Sequence, residues 1–114
     1  MTGRPNILVL CGRNKKRSRT AEYIFKNDNR FNIRSAGLSP KSDRKVSEND
    51  LNWAHLIFVM EQEQKAKVYA IYKHLELPPI KVLNIKDEYE FLDDELIHTL
   101  TEKINDTLQI VYKI

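Results

Sequence analysis

Four short apolar segments alternate with four helical patterns along this chain. That order predicts an α/β protein of three layers, a parallel sheet with helices on both faces. Two further observations support the prediction. The runs Ile7–Leu10 and Leu56–Met60 show no polar alternation, as expected of strands buried on both faces. The last stretch places Ile97, Leu100, Ile104, Leu108 and Val111 three or four residues apart, the cleanest helical period in the sequence.

The elements follow in order. Ile7–Leu10 is a strand bounded by Pro5-Asn6 and Cys11-Gly12. Ala21, Ile24 and Phe25 form an apolar stripe at helical spacing, and that helix fades in the poor helix formers of Asn27–Asn29. Phe31–Ser35 alternates as a half-exposed strand that Ala36-Gly37 ends, and Leu38–Arg44 is a loop. Ser47 and Asp50 have the spacing of a capping box, with Val46 and Leu51 as its hydrophobic staple, so a helix starts near Ser47. Leu56–Met60 is the next strand. Glu61–Leu75 is helical, with a weaker stripe at Ala66, Tyr69 and Ala70, and Pro78-Pro79 stops it. Ile80–Ile85 is the fourth strand, and Asp93 or Asp94 opens the last helix.

With 114 residues, 41% of them apolar, the chain fits one domain over 1–114. Its net charge of +3 is too mild to indicate a nucleic-acid binder. The distribution is more informative. Arg13, Lys15, Lys16, Arg17 and Arg19 cluster in one short stretch, which points to an anionic ligand rather than a basic face. The single cysteine excludes an intrachain disulfide. The first residues lack the apolar core of a signal peptide, and no apolar run spans a bilayer, so a reducing cytoplasm is the expected compartment and no membrane partner is expected.

The segment Cys11-Gly12-Arg13-Asn14-Lys15-Lys16-Arg17-Ser18 lies between the first strand and the first helix, at the sheet end where ligands of such folds bind. A loop in this place can turn backbone N–H groups inward as an anion nest, and the helix dipole adds positive potential. Both favour a thiolate at Cys11, the form that attacks phosphorus. Arg17 offers a planar fork that matches two phosphate oxygens and the equatorial oxygens of a transition state. Ser18 can hydrogen-bond the sulfur, and Gly12 relieves crowding where backbone meets ligand. The alternative is a buried structural cysteine beside a solvated helix N-terminus. Five cations there oppose the helix dipole unless an anion is bound.

Four stretches of the chain resemble the low-molecular-weight protein tyrosine phosphatases, in a shortened bacterial form: ILVLCGRNKKRSRTAE (7–22), RSAGLSP (34–40), VSENDLNWAHLIFVME (46–61) and IKDEYEFLDDEL (85–96). The resemblance implies a four-stranded parallel sheet of order 2-1-3-4. It also implies a cysteinyl-phosphate intermediate on Cys11, phosphate clamping by Arg17, and a loop shape held by Asn14 with support from Ser35. The loop residues Gly12, Arg13, Asn14, Lys15, Lys16 and Ser18 would bind phosphate. The family's general acid corresponds to Asp87, with Glu88 where a proline is expected. Other departures are Arg13 at a usual glycine, Lys16 at a frequent second cysteine, Arg19 at a usual proline and a short segment at Leu38–Arg44.

Phosphomonoester cleavage needs a proton for the leaving oxygen. Asp87 directly follows the strand Ile80–Ile85 and so emerges at the same sheet end as Cys11. Asp93 is the second choice, although Asp93 and Asp94 also suit the start of the last helix. Tyr89 is either a wall for the substrate or loop packing. No metal and no cofactor are required, because Arg17 and the nest supply the charge. The expected partner is a phosphorylated protein or a small phosphomonoester. Two other functions fit the loop: an arsenate reductase, which would need an external thiol, and a non-catalytic module that binds phosphorylated protein or nucleic acid. The lack of aromatic residues in the basic stretch counts against nucleic acid.

Overall fold

The computed structural model describes residues 3–114. Its elements are β1 (Asn6–Cys11), α1 (Arg17–Phe25), β2 (Asn32–Gly37), α2 (Glu48–Trp53), β3 (Leu56–Val59), α3 (Gln62–Ile71), β4 (Ile80–Val82) and α4 (Asp94–Tyr112). The four strands form one parallel sheet in the order β2-β1-β3-β4. The fold class is the one the alternation of elements predicts, and the strand order is the one the family resemblance implies.

The pleat divides the apolar residues of β1 between two layers. Ile7, Val9 and Cys11 face a cluster completed by Ala21 and Phe25 of α1 and by Leu96, Leu100, Ile104 and Leu108 of α4. Leu8 and Leu10 face the other cluster, with Leu51 of α2 and Val68 of α3. Each fully buried side chain of this size contributes about 1.5–3 kcal/mol. Strands covered on both faces need no polar alternation, which explains the unbroken runs in β1 and β3.

The capping box of α2 forms as expected. The Ser47 hydroxyl accepts from the Asp50 backbone N–H, and the Asp50 carboxylate accepts from the Ser47 N–H at 3.1 Å. Val46 and Leu51 are both buried in the adjoining core.

Three sequence expectations need correction. In α3, Ala66, Tyr69 and Ala70 are exposed, and the helix turns Gln64 and Val68 inward, followed by Tyr72 just beyond its end. The inward stripe is hidden in the sequence because it starts with a polar residue. Gln64 is buried to accept hydrogen bonds from the Met60 and Glu61 backbone N–H groups at 2.9 and 3.1 Å. In α4 the buried face begins at Leu96 rather than Ile97, and steps of four carry it to Tyr112, leaving Val111 exposed. The strand expected over Ile80–Ile85 is regular only to Val82, because Asn84 adopts a left-handed φ of 57°. Ile80 and Val82 pack on the α2/α3 side, and Leu83 and Ile85 on the α1/α4 side.

Candidate active site

Cys11 ends β1, and the next five residues lead into α1. The segment after β2 braces this turn. The carbonyl oxygens of Cys11, Gly12 and Arg13 accept from the backbone N–H groups of Leu38, Ser39 and Asp43 at 3.0, 2.8 and 3.1 Å. In a trans peptide the N–H points opposite to the preceding C=O. The N–H groups of Gly12, Arg13 and Asn14 therefore point away from the bracing segment. Asn14 takes a left-handed φ of 55°, as a nest requires, and no side chain caps the first turn of α1. A Cβ on Gly12 would meet no protein atom within 4 Å, so only a bound ligand would crowd that position. Gly37 has a different requirement. A Cβ there would collide with the Ser42 side chain and lie 2.8 Å from the Arg13 carbonyl carbon.

A polarised chain of hydrogen bonds ends on the sulfur. Ser35 Oγ donates to Glu22 Oε1 at 2.5 Å, because a carboxylate only accepts. Ser35 therefore receives one amide hydrogen of Asn14, at 2.9 Å. The other amide hydrogen goes to Ser18 Oγ at 2.8 Å. This leaves the Ser18 hydroxyl proton free to point at Cys11 Sγ, 2.9 Å away. With its proton directed at the sulfur, Ser18 would serve Cys11 as a hydrogen-bond donor. Asn14, Ser18 and Ser35 are all nearly inaccessible, so water does not compete for these bonds.

Arg17, at the start of α1, is only 4% exposed. Its Nη1 donates to Glu61 Oε1 at 2.8 Å and to the Ile85 carbonyl at 2.7 Å. Among the described residues these are its only hydrogen bonds, so the Nε–Nη2 edge remains as a two-pronged donor. Asp87 Oδ1 lies 3.8 Å from Nε. Cys11, Arg13, Lys15, Lys16, Arg17, Ser39 and Asp87 share one cavity of about 510 Å³. The three key groups follow β1 and β4 at one end of the sheet, where parallel α/β proteins hold their ligands.

The loop that carries Asp87 is tied down by Thr20 and by the Asp93 cap, and it also carries an exposed ion pair. Leu92 N–H donates to Thr20 Oγ1 at 3.0 Å, and Lys16 Nζ pairs with Glu90 at 3.0 Å. Asp93 caps α4, accepting from the Glu95 and Leu96 N–H groups at 2.9 and 3.2 Å, so the second candidate acid is occupied structurally. Tyr89 packs against the α1/α4 core and donates its hydroxyl to Glu95 at 3.0 Å. That bond raises the Tyr89 phenol's pKa above its ordinary value. Tyr89 is not among the residues lining the cavity.

The basic cluster is less naked than the sequence suggests. Lys15 and Arg19 both approach Asp43, at 3.7 and 3.6 Å, and Arg19 also stacks over Phe91. Phe91 meets Tyr23 edge-on, with Lys26 over the Tyr23 ring. Aromatic side chains therefore do interleave with cations in space, which the linear stretch did not reveal. Trp53 is half-buried, with Arg34 stacked on it. Sequence reasoning assigned no role to Glu22 or Glu61. Glu61 had a usable signal, since it follows β3 as Asp87 follows β4.

No family model and no curated protein matches the chain. Solved structures do. The low-molecular-weight protein tyrosine phosphatase SP-PTP from Streptococcus pyogenes superposes with a TM-score of 0.74 at 15% identity, covering 94% of this chain and 93% of that one. YfkJ from Bacillus subtilis gives 0.72 at 20% identity, over 97% and 98% of the two chains. The tyrosine phosphatase Wzb from Escherichia coli K30, in complex with phosphate, gives 0.71 at 18%, over 93% and 97%. The chain has the low-molecular-weight phosphatase fold. Within that fold its loop carries Arg13, Lys15 and Lys16 around the cysteine, and its bracing segment supplies Ser39 to the cavity.

Proposed function

We propose that the chain is a cysteine-dependent phosphomonoester hydrolase, a single cytoplasmic domain that dephosphorylates phosphorylated protein, with phosphotyrosine as the leading group and small phosphomonoesters as further substrates. One observation carries the reading. A sulfur within hydrogen-bond reach of a buried serine hydroxyl shares a cavity with a guanidinium edge that makes no hydrogen bond among the described residues and with a carboxyl group.

In the first step the phosphoryl group sits on the inward N–H groups and the Nε–Nη2 edge of Arg17. Cys11 Sγ attacks phosphorus, forming the S–P bond as the P–O bond to the leaving group breaks. Asp87 gives its proton to the departing oxygen. In the second step water attacks phosphorus, Asp87 takes a proton from it, and the S–P bond breaks with the electron pair returning to sulfur. The Ser18 hydroxyl stabilises that thiolate. Glu61 and the Ile85 carbonyl hold Nη1 so that the other edge keeps its aim.

Hydrolysis of p-nitrophenyl phosphate tests the reading. Activity is expected in the native chain and a loss of at least about a thousandfold in Cys11→Ser, since the nucleophile is gone. Arg17→Ala should fall by about a hundredfold or more. Native-level activity in Cys11→Ser would overturn the assignment.

A further inference from the structure

The cavity is lined by more cations than the two proposed chemical steps use. Its lining holds the cations Arg13, Lys15, Lys16 and Arg17 against a single carboxylate, Asp87, and contains no aromatic ring. Arg17 serves the phosphoryl group and Asp87 serves the leaving oxygen, so three cations are left over. Their existing partners hold them loosely. Lys15 reaches Asp43 only at 3.7 Å, and both side chains are about half exposed. Lys16 pairs with Glu90, which is 84% exposed. Arg13 is exposed and makes no ion pair among the described residues. Neither Asp43 nor Glu90 lines the cavity. Pairs of this kind are weak and exchange readily for a better-placed anion.

Resting on the proposed phosphatase activity, we infer that the substrate is a phosphorylated residue in an acidic peptide segment, whose neighbouring carboxylates lie on Arg13, Lys15 and Lys16. Selectivity then comes from charge around the phosphoryl group, not from aromatic walls. Tyr89, the aromatic residue nearest to Asp87 in the sequence, is committed to the core and to Glu95.

The test compares two phosphotyrosine peptides of equal length, one with Asp and Glu on both sides of the phosphotyrosine and one with Asn and Gln in their place. p-Nitrophenyl phosphate serves as reference. The acidic peptide should show a kcat/KM about tenfold higher at low salt, shrinking toward parity near 0.5 M salt, as several weak exposed pairs predict. Arg13→Gln and Lys15→Gln should each lower that ratio by about two- to fivefold, whatever they do to the absolute rate. Equal kcat/KM for the two native-enzyme reactions would overturn the inference while leaving the phosphatase reading intact. A third peptide, with a second phosphate and the Asn and Gln flanks, extends the test: a preference confined to it would also overturn the inference, because it would place a phosphate and not a carboxylate on the three cations. No turnover of p-nitrophenyl phosphate would remove the phosphatase reading and this inference together.

Discussion

Ser18 shows how a single residue takes its role from its neighbours. A serine hydroxyl beside a sulfur can point either way. The Asn14 amide hydrogen on the Ser18 oxygen takes one of its two lone pairs and so favours the proton pointing at the sulfur. Asn14 is itself fixed through Ser35, and Ser35 through Glu22. Replacing Glu22 with Gln removes the acceptor-only end of the chain and lets the polarity reverse. The expected result is a kcat roughly tenfold lower with KM little changed, the pattern of an interaction that matters after binding. Steady-state kinetics with p-nitrophenyl phosphate reads this directly, and Glu22→Asp should recover part of the loss. Cys11, Asn14, Arg17 and Ser18 were legible in the sequence because they share one short loop. Glu22 and Glu61 were not, because a carboxylate on a helix or after a strand has many ordinary explanations and its partners are distant in the chain.

At the scale of elements, the site depends on two segments outside the helices and strands. The segment from Leu38 to Asp43 takes up three carbonyls of the phosphate loop, and Gly37 allows it to come close. Gly37→Ala should cost about 1–3 kcal/mol, as overpacking does, and should weaken inorganic phosphate binding beyond what the stability loss explains. Thermal unfolding with and without phosphate separates the two effects. The second segment is the Asp87 loop, pinned by Thr20 to Leu92. Thr20→Val leaves the Leu92 N–H without its acceptor. Its rate with alkyl phosphates, which need the general acid, should drop several-fold more than with p-nitrophenyl phosphate. The shortness of the segment after Gly37 was visible in the sequence. Its bracing role was not, since backbone hydrogen bonds between two loops leave no residue pattern. Element types and order were legible from alternation and period. The inward face of α3 was not, because Gln64 interrupts it with a polar side chain that has a backbone task.

Across the whole molecule, the sheet separates two apolar layers, and the end opposite the cavity is tied by Arg30. That side chain grips Asp28 after α1, Asn105 of α4 and the carbonyl of Ile114. The side-chain hydrogen bond from Arg30 holds the Asp28 carboxyl below its ordinary pKa and raises that of Arg30. For a carboxylate lowered in the folded state, the added stability is present above the unfolded pKa near 3.9 and is lost as pH falls through the folded value. Asp28→Asn should therefore melt at lower temperature than the native chain at neutral pH, and the gap should narrow as pH falls below the unfolded value. Melting curves from pH 7 to pH 2.5 test this.

The central claim is that phosphorus passes through Cys11. In the proposed mechanism Asp87→Ala removes the base that activates water, while a good leaving group still departs unaided, so the covalent intermediate should accumulate. Rapid quenching of this variant with p-nitrophenyl phosphate, followed by mass spectrometry of the peptide holding Cys11, measures it. One phosphoryl group on the Cys11 sulfur is expected, formed with a stoichiometric burst of p-nitrophenol. A burst or steady turnover that leaves Cys11 unmodified would contradict it.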